Sequence, residues 1–281
     1  MVFTINPRIF LLLLSLVIIV LVVILIPPVS QNPEYHNFED KRNFSGITHF
    51  WNVVTNIPFL LLGIIGFFKI LKQEVKGILP DLFSAYLTFF MGLFLTGLGS
   101  TYYHLNPSNS TLVGDRMAIT ITFMSFFVLI FGESISTKTA KRLLFPLIFL
   151  GLASVIYWNI TENLGTGDLR FYALVQFLPM LLIPLMLLLY GSCLSGRRWI
   201  ITIILVYGIA KIAEMYDHQI YDLISFSGHS LKHLIAAFGA FLFLKGLELR
   251  KPIEWKFFKS ISLQFSKIKI PTQGEINIIF C

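Results

Sequence analysis

The sequence predicts an all-α membrane protein: a seven-transmembrane-helix bundle with one additional N-terminal transmembrane helix, eight in total. Hydrophobic residues make up 56% of the chain and charged residues 13%, which excludes an ordinary soluble domain. Eight apolar runs recur along the 281 residues, and each is close to the roughly 20 residues that a helix needs to cross a bilayer. One polytopic bundle therefore accounts for most of the chain.

The apolar runs begin and end at recognisable signals. The first ends at Pro27-Pro28 without a small-residue cleavage site, so we interpret it as an uncleaved anchor and not as a secretory signal. Trp51 lies at an interfacial position of the second run, and Pro179 and Pro184 inside the sixth indicate a kink. The predicted spans are Ile9–Ile26, Phe50–Leu71, Leu82–Tyr103, Asp115–Phe131, Leu143–Asn159, Phe171–Tyr190, Trp199–Met215 and His229–Leu247.

The positions of the basic residues predict the orientation of the bundle. With eight helices, sixteen Lys and Arg residues fall on one side of the membrane and four on the other, while Lys211 and Lys232 lie within spans. Basic residues are retained on the cytoplasmic side, so we expect both termini in the cytoplasm. The net charge of +7 then reflects membrane orientation, and we expect no nucleic-acid partner.

Polar side chains interrupt the apolar chain at two places. Ser100 and His104 are four residues apart, which puts them on one helical face, and Asp115 follows eleven residues after His104. His229 and His233 form a second pair with the same spacing of four. In the predicted topology all these helix ends lie on the extracytoplasmic side, so the side chains could converge. Three neutral imidazoles with an open fourth position are the ligand set of a hydrolytic zinc site.

Each candidate also has a simpler interpretation. A single histidine near a helix end is commonly interfacial, but a pair spaced four apart favours metal binding. Ser100 fits either close helix packing or function. Asp115 fits a helix N-cap, an ion pair with Arg116, or a carboxylate that takes a proton from a zinc-bound water and passes it to a leaving amine. Glu133 is interpreted as a charged helix end.

At these residues the sequence resembles the alkaline ceramidase family, within a superfamily of seven-helix membrane hydrolases that includes the adiponectin receptors. The family carries a serine four before a histidine, an aspartate eleven after it, and a histidine pair in its last helix. These positions are Ser100, His104, Asp115, His229 and His233. The stretch from Phe50-Trp51-Asn52 to Asn56 is also similar to the start of the family's first core helix. The resemblance covers about Glu34 to Leu247, and the additional first helix suggests a bacterial member.

The resemblance implies a zinc ion held by His104, His229 and His233, with Asp115 as base and then acid and Ser100 supporting the oxyanion. The implied reaction cleaves the amide of ceramide or a similar N-acyl membrane lipid, giving a fatty acid and a long-chain amine. The resemblance gives little support for calcium. The glutamate that precedes Phe-Trp-Asn in eukaryotic members is His49 here, and the remaining candidate oxygen ligands for calcium do not follow the family's spacing. Those residues are Glu34, Asn37, Glu39 and Asp40.

Three other functions are compatible with the pattern. A receptor or scaffold would keep the fold and the metal without turnover, a related hydrolase would act on a different lipid ester or amide, and a haem protein would use histidines as axial ligands. Ser100 and Asp115 beside the histidines favour chemistry, because a structural zinc site would be closed by a fourth protein ligand. The sequence predicts no oligomeric state.

These inferences divide the chain into four parts. Residues 1–28 form the N-terminal transmembrane helix, 29–49 a polar extracytoplasmic loop, 50–247 the seven-helix catalytic core, and 248–281 a basic cytoplasmic tail. We expect an integral protein of a bacterial inner membrane with its active site near the extracytoplasmic face.

Overall fold

The computed structural model describes residues 6–253, and within this range the chain is helical without a β-strand. Seven segments are long and apolar enough to cross a membrane, or eight if the consecutive helices Arg198–Met215 and Asp217–Ile224, with an 82° bend between them, count as one span. The predicted all-α multispan fold is therefore confirmed. The predicted cytoplasmic tail lies outside the described residues from position 254 onward.

The helices are α1 (Pro7–Leu25), α2 (Phe50–Val54), α3 (Ile57–Leu71), α4 (Phe83–Leu105), α5 (Asn109–Ser134), α6 (Thr137–Asn163), α7 (Arg170–Leu189), α8 (Arg198–Met215), α9 (Asp217–Ile224) and α10 (Gly228–Leu249).

Helix α1 lies on the outside of the bundle. None of its residues is buried, and it packs beside α7. Its C-terminal carbonyls at Ile24 and Ile26 accept hydrogen bonds from the Arg170 guanidinium, which is itself held by Asp168 at 2.8 Å. This ion pair lowers the pKa of Asp168 below its usual value. The exposed apolar surface suits a lipid environment, and the interpretation of α1 as an uncleaved anchor stays a prediction.

Two helices begin earlier than hydropathy predicted. Helix α5 begins at Asn109 because Ser108 and Thr111 form a capping box, so Asp115 lies in the second turn and not at the helix start. Helix α6 begins at Thr137, where the Ser136 side chain accepts from the Thr139 amide. Polar capping residues lower the hydropathy of a first turn, and the predicted starts at Asp115 and Leu143 were therefore too late.

A buried ion pair closes the opposite end of the bundle from the histidines. The Arg250 guanidinium donates to Glu133 at 2.5 and 3.1 Å, and the two side chains are only 1% and 2% exposed. The Ser192 hydroxyl also donates to Glu133, and the Ser195 carbonyl accepts from Arg250. The pair thus joins the ends of α5 and α10 to the segment between α7 and α8. The interpretation of Glu133 as a simple charged helix end missed this role.

We expect Glu133→Gln to lower the free energy of unfolding by about 3–5 kcal/mol, because Arg250 would stay buried without its anionic partner. The measurement is thermal unfolding of the purified protein in detergent. Glu248→Gln is the matched control, since its ion pairs with Lys69 and Lys245 are partly exposed and worth roughly 1 kcal/mol or less. Equal losses in the two variants would contradict the importance of the buried pair.

Candidate metal centre

The three predicted histidines meet in the folded chain. His104 lies in the last turn of α4, and His229 and His233 lie in the first turns of α10. All three are buried, and one ring nitrogen from each lies within 4.8 Å of the others. The ring centroids are 4.9 to 5.1 Å apart. Side chains from two distant helices therefore form one cluster that is close enough to hold a metal ion.

The chemistry of this cluster fits zinc. His104 Nδ1 is buried without a hydrogen-bond partner, and buried polar atoms are rarely left so unless they have another role. Imidazole is a preferred zinc ligand. Within residues 6–253 no fourth His, Cys, Asp or Glu joins the group. Three protein ligands with one open position are the arrangement of catalytic rather than structural zinc.

Thr55 sets the orientation of His233. The Thr55 hydroxyl has one proton, which it donates to the Trp51 carbonyl at 2.6 Å. Its oxygen must then accept from His233 Nδ1, which lies 3.0 Å away. This bond places the His233 proton on Nδ1 and leaves Nε2 with a free lone pair. Hydrogen bonds of this kind orient the histidine ligands of metal sites.

We expect Thr55→Val to weaken zinc binding by about 10–100-fold, because the hydroxyl that orients His233 is removed while the shape is kept. Titration against a chromogenic chelator would measure the affinity. Thr55→Ser is the matched control, since it retains the hydroxyl and should retain tight binding. Tight binding in both variants would show that Thr55 does not orient the ligand.

The bend between α8 and α9 places a cap on α10. Asp217, at the start of α9, accepts from the Ser227 hydroxyl at 2.7 Å and from the His229 amide at 3.0 Å. Gly228 is required at this crossing, because a Cβ atom there would lie 2.3 Å from the Ala213 carbonyl oxygen. From the other side, the Ser230 hydroxyl donates to Asn52 at 2.6 Å. These contacts hold the turn of α10 that carries the histidines.

Ser100 and Asp115 face the same cavity as His233. Both are buried, and Asp115 Oδ1 has no hydrogen-bond partner. Gly99 allows α4 and α5 to approach here, since a Cβ atom would lie 2.9 Å from the Gly114 carbonyl oxygen. Asp115 is not the N-cap of α5, and it forms no ion pair with any of residues 6–253. Its position fits the proton-transfer interpretation, which stays a prediction.

The polar loop between α1 and α2 covers the cluster. Phe38 is 4% exposed, and its ring centroid lies 4.7 Å from that of His104 and 4.4 Å from that of His229. The Asp40 carboxylate fixes the loop by accepting from the amides of Trp51 and Asn52 at the start of α2. The loop is thus a packed lid over the histidines.

A charged group adjoins the cluster. Glu214 of α8 pairs with Lys232 at 2.8 Å and also with Lys211. Lys232 Nζ lies 3.1 Å from His229 Nε2, so the group touches the metal centre. The Tyr35 hydroxyl comes within 3.5 Å of Glu214.

An amphiphilic cavity of about 370 Å³ runs from this polar end into the bundle. Its polar wall includes Ser100, Asp115 and His233. Its apolar wall includes Phe89, Phe126 and Phe243, whose ring centroids are 4.7 to 6.0 Å apart. A long-chain molecule with a polar head fits such a shape.

The site also depends on residues that the sequence did not single out. Thr55 and Asn52 belong to the stretch that resembles the family's first core helix, and this stretch was the available signal. Asp217 and Phe38 carried no signal, because the bend after α8 and the folding of the loop over the histidines depend on tertiary contacts.

Fold and site together define a multispan membrane protein with a buried three-histidine centre at the polar end of a lipid-sized cavity. The model of the Ceramidase family matches residues 42–267, which is more than half of the chain. The chain belongs to the ceramidase family. This membership implies an amide-bond hydrolase with a lipid substrate. No curated protein and no solved structure matches the chain.

Proposed function

We propose that this protein is a zinc-dependent membrane amidohydrolase that cleaves the N-acyl bond of ceramide or a similar N-acyl lipid. The products are a fatty acid and a long-chain amine. The observation that carries the proposal is the buried cluster of His104, His229 and His233 beside a cavity with an apolar wall. The match to the Ceramidase family supports the same reaction.

The positions of the side chains support the following roles. His104, His229 and His233 would hold the zinc ion. When bound, zinc would polarise the amide carbonyl and lower the pKa of a water molecule. Asp115 would take the proton from the attacking water and deliver it to the leaving nitrogen. The Ser100 hydroxyl would donate to the oxyanion that develops on the carbonyl oxygen.

The cavity suits an acyl chain that enters from the bilayer. Helices α7 and α8 both contribute to its wall, through residues such as Phe177 and Ile204. Yet α7 packs mainly against α1, α5 and α6, whereas α8 packs mainly against α10. A lipid chain could therefore reach the site between α7 and α8 without leaving the membrane.

The basic residues support the orientation that goes with this function. Both termini would be cytoplasmic, with α1 as an uncleaved anchor and the histidine cluster near the extracytoplasmic face of a bacterial inner membrane. The loop at residues 29–49 would then cover the site from the extracytoplasmic side. Residues 50–247 would form the catalytic core.

The test combines metal content with turnover. Wild type and His233→Ala would be purified in detergent, and their zinc content and fatty-acid release measured on a panel of ceramides and other N-acyl lipids. One zinc per chain with release that depends on His233 would support the proposal. Bound zinc without release from any lipid would favour a receptor or scaffold, and a wild type without zinc would overturn the site.

A further inference from the structure

The polar end of the cavity holds more cations than carboxylates. Three basic side chains, Arg116, Lys211 and Lys232, line it together with only two acidic ones, Asp115 and Glu214. Lys211 and Lys232 share the Glu214 carboxylate. One positive charge is therefore left without a counterion among the residues that line the cavity, and an unpaired buried charge is costly.

Arg116 shows this surplus most clearly. It is 5% exposed, and its guanidinium carbon lies 4.0 Å from the Trp158 ring centroid and 4.6 Å from that of Tyr172. Its Nη2 donates to Gln31 at 2.5 Å, while its Nη1 is buried without a partner. No carboxylate of residues 6–253 forms an ion pair with it. The fork of a guanidinium matches the oxygen atoms of a carboxylate or a phosphate.

One of these cations lies beside the metal centre. Lys232 is on α10 between the two histidines and 3.1 Å from His229 Nε2. Tyr35 connects it to Arg116: the Tyr35 hydroxyl approaches Glu214, the partner of Lys232, and its ring centroid lies 5.9 Å from the Arg116 guanidinium carbon. An anion that contacts Lys232 would therefore lie next to an amide bound at the histidine cluster.

We propose that the preferred substrate is an N-acyl lipid whose amine part carries an acidic group, a carboxylate or a phosphate, bound by Arg116 and Lys232. This inference rests on the proposed amidohydrolase function and narrows its substrate class. The reaction consumes one water: the amide C–N bond breaks, the acyl carbon gains the hydroxyl as a fatty acid, and the nitrogen gains the proton. N-acyl amino acids have the required charge two bonds from the amide nitrogen.

Three ligands with the same acyl chain separate the possibilities. N-decanoylglycine carries a carboxylate, N-decanoyl-O-phosphoethanolamine carries a phosphate, and N-decanoylethanolamine is neutral. Calorimetric binding to the zinc-loaded protein in a neutral detergent gives Kd, and fatty-acid release gives kcat and KM. We expect at least one acidic ligand to bind roughly tenfold or more tightly than the neutral one, since hydrogen bonds between charged groups are strong.

The variants locate the preference. Arg116→Gln should remove most of the preference for acidic ligands, while the binding of the neutral ligand changes little. An acid that bound directly to zinc would not depend on Arg116, so this variant also distinguishes the two modes of binding. Lys211→Gln should also weaken the preference for acidic ligands, because the Glu214 carboxylate would then neutralise Lys232 alone. This variant provides the test if Arg116→Gln does not fold. Lys245→Gln is the control, since Lys245 pairs with Glu248 away from the cavity and should keep the full preference.

The results distinguish this inference from the proposed function. Equal Kd and KM for acidic and neutral ligands, or a preference that survives in both cavity variants, would overturn the acidic substrate class and leave the hydrolase intact. A preference that depends on Arg116 without hydrolysis of any ligand would support the anion subsite and overturn the hydrolase. The ratio between the two acidic ligands identifies carboxylate or phosphate as the group recognised.

Discussion

Purified His104→Ala protein is expected to hold no zinc after dialysis and to release no fatty acid from any N-acyl lipid. His104 is the only member of the cluster that comes from α4, and its loss leaves two imidazoles from consecutive turns of α10. Two ligands do not form the three-ligand site of catalytic zinc. The measurements are zinc content by atomic emission and fatty-acid release by mass spectrometry.

His218→Ala is the matched control for this experiment. His218 belongs to α9, its side chain is 65% exposed, and its ring nitrogens lie beside the carboxylates of Glu39 and Asp222. Zinc content and turnover should remain those of the wild type. If His104→Ala retained one zinc per chain, the ligand set would have to be reassigned.

Asp115→Asn is expected to keep zinc and to lower kcat by about 10²–10⁴-fold, the usual contribution of a positioned acid or base. The amide of asparagine has the same shape as the carboxylate, so the packing of α4 against α5 at Gly99 should survive. The asparagine amide, however, cannot take a proton from water as the carboxylate can. Zinc content and steady-state kinetics on the best N-acyl lipid would be measured together.

Substitution of a second carboxylate is the control that distinguishes loss of proton transfer from a general effect of removing a negative charge. Asp222→Asn removes an exposed acid from α9, where the side chain is 65% exposed, and should leave kcat unchanged. Wild-type turnover in Asp115→Asn would eliminate the proton-transfer role. Loss of zinc in that variant would instead indicate that Asp115 stabilises the metal centre.

The transmembrane helices and the histidine cluster could be predicted because local sequence carries them. Apolar runs of sufficient length predicted the spans, and the spacing of His229 and His233 predicted a shared helical face. The number of predicted spans between them placed His104 at the same membrane face as this pair. Each of these inferences needs only residues that are close in sequence or the count of helices between them.

The remaining features depend on contacts between distant residues. Thr55 orients His233 from a helix near the other end of the chain, and Asp217 reaches α10 only because the chain bends sharply after α8. The pairing of Glu133 with Arg250 is equally remote in sequence. Arg116 could be read as the partner of the adjacent Asp115, and only the folded structure shows it facing aromatic rings instead.

The location of two ligands on α10 has a consequence for how the protein matures. Helix α10 is the last helix within residues 6–253, so a growing chain holds only one of the three histidines until this helix has been inserted beside α8 and α3. Metal that binds only the folded state stabilises it by mass action. Zinc acquisition would therefore be a late step of biogenesis, and the zinc content of a membrane preparation would report the fraction of chains whose assembly is complete.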